Sequence, residues 1–383
     1  MTPPMVGIIG AGQLARMTAQ AAISLAVDTK VLAVLPTDPA CVAATAVEIG
    51  DPNDPAALQR FVAGCDVVTF DHERVDPTLL ARIETEGVRV RPSAAVLHFS
   101  DKAHQRVELA AHGFPVPPFD VVTTASEVVA FAAAHDWPVV AKTAVGGYDG
   151  RGVFVLENRD QAVATIGGLA GRRVVVEPML DISAEIAVLV ARRPSGDSAV
   201  YPMVETIQHD GICLETIAPA TIDPDLRTQA RNIAESIAET IGSVGILAVE
   251  FFITPDGVIV NELAPRPHNS GHWTIEGAIT SQFENHVRGI LDWPLGDTSL
   301  AAPAVAMANI LGGAPSARPD DLPGALSVSG AHVHLYAKPT RPGRKLGHIT
   351  ATGPDQTVAL HRARTALAAF TGTPMSKGTL HDH

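Results

Sequence analysis

No two cysteines in this sequence are spaced to share a metal or a short disulfide loop: Cys41, Cys65 and Cys213 lie far apart and none belongs to a C-x-x-C. A disulfide-stapled scaffold and a zinc ribbon are thereby excluded, and three separate thiols fit a reducing compartment. Positive charge is also in short supply. Lys+Arg 28 against Asp+Glu 41 leaves a formal charge of -13, a field that repels nucleic acid and anionic membranes and leaves neither as an expected partner. Any anionic ligand must be captured by a local concentration of cations. No apolar run is long enough to cross a bilayer, and "MTPPMVGIIGAG" lacks the basic start of a signal peptide, so the expected location is the cytoplasm. Internal repeats and low-complexity tracts are missing too. What is present is a chain of 383 residues, 46% apolar and 18% charged, enough to fold into two or three compact units.

The first segment alternates short apolar strands with amphipathic helices: "MVGIIG", a helix over 13–25, "KVLAVL", a helix after "DPNDPAAL", "CDVVTF" and "EGVRVRP". That rhythm predicts an α/β unit with a parallel sheet, ending near Pro92 and Ser93. From "SDKAHQRVELAAHGFPVPPF" the texture becomes α+β, with antiparallel hairpins and a helix over 224–241. Beyond about residue 301, Pro/Gly spacing suggests a small β-rich unit, and "ALHRARTALAAF" reads as an amphipathic helix packed on the body. The expected division is 1–97, 98–300 and 301–383.

Gly10-x-Gly12-x-x-Ala15 sits between a strand and a helix and satisfies the dinucleotide fingerprint in its G/A form. The second strand nevertheless ends in Leu35-Pro36, with Asp38 beyond it, where a nicotinamide enzyme wants a ribose-binding acid. A tight turn and a phosphate cradle both remain open for these glycines. In "VVAKTAVGGYDGRGVFVL", Lys142 ends a strand and Gly146, Gly147, Gly150 and Gly152 frame Tyr148, Asp149 and Arg151. Backbone N–H groups bare of side chains can approach polyphosphate oxygens, and a lysine adds a point charge. No GK[ST] follows, so this is no Walker loop. In "ILAVEFFITPDGVIVNELAPR" a turn at Thr254–Gly257 separates two apolar strands. With the loop centred on Asp256, Glu250 and Glu262 oppose each other on one face, and Asn261 falls on the other unless the strand bends. Two carboxylates within apolar strands need a partner, and hard oxygen ligands suit Mg²⁺. His268 and His272 are four apart, without a third ligand at zinc spacing.

"KTAVGGYDGRG", "VEP", "MVETIQHDGI", "VEFF" and above all "NELAPRPHNSGHWT" followed by "SQFENHVR" resemble the ATP-grasp superfamily, and within it the N5-carboxyaminoimidazole ribonucleotide synthase family of purine biosynthesis. The likeness runs from "GIIGAGQLARM" to "RPGRKLGHI". It implies an ATP-grasp fold with a Rossmann-like pre-ATP-grasp domain before it and a small β-rich domain after it. It also implies a homodimeric ligase that carboxylates 5-aminoimidazole ribonucleotide with ATP and bicarbonate, using Mg²⁺ or Mn²⁺ on Glu250 and Glu262 and no biotin. On this resemblance Lys102 and Lys142 bind the phosphates, and Glu177, Pro178, Met179 and Leu180 meet adenine through backbone groups. Glu185 holds the ribose hydroxyls, Gln208 takes a nucleotide-contact position where relatives carry His, and Asn261 and Glu262 face phosphate and metal. Gly147, Gly150 and Gly152 belong to a lid over ATP. Arg151 is matched to bicarbonate or carboxyphosphate, and Tyr148 and Asp149 to the amine-bearing substrate. Arg266, His268, Asn269, Ser270 and Glu73 face the sugar and base. The four cations of "KPTRPGRK", set against an acidic background, suggest a 5′-phosphate site built from Lys338, Arg344 and Lys345, with Arg266 and Lys345 near the reacting atoms. Another carboxylate–amine ligase of the superfamily, a nicotinamide oxidoreductase and a nucleotide sensor without turnover are the rival readings.

Overall fold

The computed structural model describes residues 2–147, 150–313 and 322–372; Tyr148 and Asp149 therefore lie outside the described residues. Strands β1 (Met5–Ile9), β2 (Asp28–Ala33), β3 (Ala46–Ile49) and β4 (Val67–Phe70) form a parallel sheet in the order β3-β2-β1-β4. All four residues of β4 are buried, as a strand covered on both faces requires. The helix Gln13–Ser24 lays Leu14, Ala15, Met17, Thr18, Ala19 and Ala22 inward. The next helix, Pro55–Val62, begins inside "DPNDPAAL" rather than after it, because Asp54 caps the Ala56 N–H and Pro55 suits the first helical position. The strand expected in "EGVRVRP" shrinks to a single bridge, Val68 to Val90. Pro92 has no N–H with which to extend it.

A second sheet, order β5-β8-β6-β7, is antiparallel and consists of β5 (Asp120–Val122), β6 (Val139–Thr143), β7 (Val153–Leu156) and β8 (Val174–Pro178). The third sheet has nine strands. It contains β9 (Ala184–Arg192), β10 (Ser198–Val200), β11 (Val204–His209), β12 (Ile212–Ala218), β13 (Gly245–Thr254), β14 (Gly257–Ala264), β15 (Ala304–Leu311), β16 (Ala331–Leu335) and β17 (Lys345–Gly353). Its order is β14-β13-β9-β11-β12-β15-β17-β16, with β10 on β9. The C-terminal strands thus continue the central sheet through the β12–β15 pairing. The helix Gln356–Thr371 covers them, burying Ala359, Leu360, Ala363, Ala366 and Phe370. No helix among the described residues is long and apolar enough to cross a membrane.

The parallel sheet is keyed to the nine-stranded one by His286, which is 1% exposed. Ile246 N–H donates to its Nδ1 at 3.1 Å, so its Nε2–H faces Thr69 Oγ1 at 2.9 Å. Burial pushes this imidazole down to about 3, so it is neutral in the fold. An unfolded histidine protonates near pH 6.5, so the joint's stability is complete above about 6.5. It is lost as pH falls from there toward about 3, by about 1.4 kcal/mol per pH unit. Urea titrations at pH 7, 6 and 5 should show that slope reduced by about one proton in His286→Gln. An unchanged slope would remove His286 from the acid response.

Candidate active site

The β13–β14 hairpin turns through Pro255 and Asp256, with Thr254 paired to Gly257. A regular ladder from that turn sets Glu250 against Asn261. A bulge at Glu250/Phe251 takes up one extra residue of β14, and Glu250 pairs with Glu262 instead. The expected opposition of the two acids is therefore present, though it arises from a bulge and not from a loop centred on Asp256. The same bulge brings Asn261 to the working side, where Lys142 Nζ donates to its Oδ1 at 3.2 Å.

The two carboxylates line a cleft, with side-chain exposures of 24% for Glu250 and 42% for Glu262. Burial, then the charges of Glu262 and Glu185, push the Glu250 carboxyl up to about 7. For Glu262 burial also pushes upward, but Lys102, whose Nζ lies 2.6 Å from Oε2, outweighs it and holds the carboxyl below its ordinary value. Two partly exposed acids facing each other, with a cation already drawn onto one, fit a divalent ion. Among the described residues no three His, Cys, Asp or Glu groups converge on one point, so an ion here needs oxygen ligands from phosphate or water as well.

Lys102 opens the helix Lys102–Ala111, capped by Asp101, which Arg173 Nη2 grips at 2.5 Å. Its backbone N–H donates to Ala144 O at 2.8 Å, tying that helix to the end of β6. Lys142 on β6 reaches Glu177 Oε2 at 2.7 Å, and Arg106 Nε meets Glu177 Oε1 at 2.5 Å. Glu177, Pro178, Met179 and Leu180 run out of β8 between the two sheets, with Met179 52% exposed. Gln208 Nε2 donates to Glu185 Oε2 at 2.6 Å, and burial raises the Glu185 carboxyl.

Gly147 folds back on the Arg151 carbonyl, while the Gly152 carbonyl accepts from Thr143 N–H at 2.8 Å. Gly150 has φ +74, and a Cβ there would stand 2.6 Å from Asp210 O at the β11–β12 turn. The glycine is required by that approach between backbones from two different sheets. Arg151 beside it is exposed.

Across the cleft, Arg266 Nε lies 2.6 Å from Glu73 Oε1, an ion pair whose Nε–H is not aligned well enough for a hydrogen bond. Arg266 follows β14 and Glu73 follows β4, so the pair spans two sheets. His268 accepts from Ser270 N–H at Nδ1 and turns its Nε2 toward Glu250 Oε1, 3.7 Å away. Burial, with Arg266 and Lys345 adding to it, pushes His268 down to about 3, leaving a neutral imidazole. Asn269 exchanges two 2.9 Å amide bonds with Asn309 on β15. Lys338 bonds to Gln13, and Lys345 lies close enough to act electrostatically on Glu250 and His268. Arg344 donates to Pro339 O within its own loop. His272 is fully buried against Phe283, Tyr336 and His348, and Gln282 Nε2 links its Nδ1, at 3.3 Å, to the His268 carbonyl, at 2.7 Å. The N-terminal glycines close on a carboxylate of the protein itself: Gly12 N–H donates to Asp71 Oδ2 at 2.6 Å, and a Cβ on Gly10 would be 1.9 Å from Asp71 Oδ1. With Asp38 bonded to Leu35 N–H at 2.9 Å in its own turn, neither feature of a nicotinamide site remains.

Residues 107–283 match the ATP-grasp domain, residues 4–101 the ribonucleotide synthetase preATP-grasp domain, and residues 305–362 the phosphoribosylaminoimidazole carboxylase C-terminal domain. The N5-carboxyaminoimidazole ribonucleotide synthase of Mycobacterium tuberculosis is 47% identical, over 95% of this chain and 87% of its own. The chain belongs to the N5-carboxyaminoimidazole ribonucleotide synthase family. A crystal structure of an ADP complex of such a synthetase superposes with TM-score 0.90 at 32% identity, covering 97% of this chain and 98% of that one. The Aspergillus clavatus synthase in complex with ADP and 5-aminoimidazole ribonucleotide gives 0.88 at 30%, covering 96% and 99%. The fold is that of an ATP-grasp ligase with a preATP-grasp domain before it and a C-terminal domain after it.

Sequence reasoning missed several residues that bond to or stand beside the candidates in this synthase-family chain. Arg106 stands four residues after Lys102 on one helix face, a spacing that was readable. Asp71 had only its place at the end of β4 to point to it. Asn309 and Gln13 carry no local signal, because each meets its partner across the fold.

Proposed function

We propose that the chain carboxylates the exocyclic amine of 5-aminoimidazole ribonucleotide, converting ATP and bicarbonate to ADP and phosphate by way of carboxyphosphate, in de novo synthesis of IMP. The observation that carries this reading is the facing of Glu250 and Glu262, with Lys102 on one of them and Asn261–Lys142 beside them. In this reading Glu250 and Glu262 hold Mg²⁺ or Mn²⁺, which when bound supplies positive charge to the phosphate oxygens. Lys102 and Lys142 bind those oxygens from two sides, Lys102 releasing Glu262 to do so. Backbone groups of Glu177, Pro178, Met179 and Leu180 meet adenine, and Glu185, oriented by Gln208, receives the ribose hydroxyls.

A bicarbonate oxygen attacks the γ-phosphorus and ADP leaves; the amine then bonds to the carboxyl carbon as phosphate departs and the amine loses a proton. Arg151 holds bicarbonate and carboxyphosphate, while Tyr148 and Asp149 are assigned to the amine. Arg266, Glu73, His268, Asn269 and Ser270 position base and sugar, His268 as a neutral donor and acceptor. Lys338, Arg344 and Lys345 receive the 5′-phosphate, Lys345 being the one whose charge acts on Glu250.

The glycine loop acts as a lid, excluding water when it rests on the β11–β12 turn. Gly150→Ala should therefore lower kcat about tenfold or more through lost closure, with the uncoupled release of phosphate rising; unchanged coupling would remove the lid role. We read 1–97, 98–300 and 301–383 as the three functional units and the cytoplasm as their setting. A homodimer fits the exposed Val34, Leu35, Val42, Val47 and Ile49 around edge strand β3, and sedimentation as a monomer at micromolar concentration would contradict it. The reaction itself is tested by phosphate release from ATP, Mg²⁺ and bicarbonate. Release that is the same with and without the ribonucleotide would overturn the substrate.

A further inference from the structure

Arg106 is 2% exposed and Glu177 is 2% exposed, so their ion pair is sealed behind the nucleotide side of the cleft. Glu177 divides its two oxygens, Oε1 to Arg106 at 2.5 Å and Oε2 to Lys142 at 2.7 Å. Two cations on one carboxylate leave the group with one net positive charge. Without Arg106 the lysine would form a neutral pair with a carboxylate in a poorly screened interior, and its attraction for polyphosphate would be largely cancelled. Without Glu177 the opposite fault appears, because burial presses the Lys142 ammonium to give up its proton and Glu177 is what holds the proton on.

We infer that Arg106 is a positioning residue for ATP: by neutralising Glu177 it leaves the charge of Lys142 for the phosphates. This rests on the reading of Lys142 as a phosphate ligand. The charged groups around Lys142 are Glu177 on β8, Arg106 and Lys102 on the helix Lys102–Ala111, Glu262 on β14 and Glu185 on β9. Of these, Arg106 touches Glu177 directly, and its Nη1 reaches Gln105 Oε1 at 3.5 Å.

Calorimetric titration with Mg·ATP and with adenosine separates the phosphate effect from damage to the adenine segment. At pH 7, Arg106→Met should weaken ATP about 10- to 100-fold, the range for losing one charged contact, and leave adenosine unchanged. Arg106→Lys should stay within about threefold of wild type. The double variant Arg106→Met/Glu177→Gln, in which no carboxylate cancels the lysine, should recover most of the ATP affinity at pH 7. With rising pH it should lose that affinity earlier than the wild type, because no carboxylate holds the proton on the buried ammonium. Equal losses for ATP and adenosine, or no recovery in the double variant, would overturn the inference. Should Arg106→Met fail to fold, the double variant carries the same comparison: near-wild-type ATP affinity supports it, and parallel loss of both ligands refutes it. A wild-type protein that binds adenosine as tightly as ATP would sink the phosphate reading of Lys142 instead, leaving the two failures distinguishable.

Discussion

Glu262→Gln abolishes turnover, lowering kcat by about a thousandfold or more, which corresponds to roughly 4 kcal/mol of lost transition-state stabilisation. The amide keeps the shape of the side chain but removes the charge that a divalent ion requires. It also ends the repulsion that helps push Glu250 up to about 7. Folding should therefore be intact, with a melting temperature within a few degrees of wild type, because Glu262 is 42% exposed and its pair with Lys102 is partly screened. Steady-state phosphate release beside a thermal melt provides the check. A variant that folds and retains more than about a tenth of the wild-type rate would take the metal away from this residue.

Arg266→Met should cost about 100- to 1000-fold in kcat/KM for the ribonucleotide, or roughly 3–4 kcal/mol. Arg266 is 18% exposed and Glu73 22%, and they come from different sheets, so the guanidinium holds a fixed place between the acid pair and the N-terminal unit. Losing it removes a donor from the substrate and leaves Glu73 without its cation. Any ATP hydrolysis without ribonucleotide should change by less than about threefold, because Lys102 and Lys142 contact Glu262 and Asn261 while Arg266 pairs with Glu73. An equal fall in both rates would mean that Arg266 serves the ATP half or the fold.

Local signals made much of this legible. The strand–helix alternation and the Thr254–Gly257 turn depend on neighbours in sequence, so they could be read directly, whereas the Asp54 cap that starts a helix inside "DPNDPAAL" was passed over. The acid pair was legible only in outcome. Counting residues from the turn assumes a regular ladder, and the bulge that sets Glu250 opposite Glu262 and turns Asn261 inward leaves no local mark. "EGVRVRP" has the composition of a strand, yet its pairing is decided by the neighbouring chain and by Pro92, and it forms one bridge. The fingerprint glycines were readable as a special turn, whereas their partner, Asp71, is 59 residues away from Gly12. Charge counting finds the basic run but not the bond that Arg344 Nη1 makes back to Pro339 O in its own loop.

The central claim is that ATP cleavage and carbon–nitrogen bond formation share one intermediate made from bicarbonate. Phosphate formed from freshly dissolved [¹⁸O]bicarbonate in the presence of ATP, Mg²⁺ and 5-aminoimidazole ribonucleotide tests it most directly. The account predicts one bicarbonate oxygen in each released phosphate, with bicarbonate carbon recovered in a carbamate on the ribonucleotide. Phosphate with no bicarbonate oxygen, its one new oxygen coming from water, would contradict it.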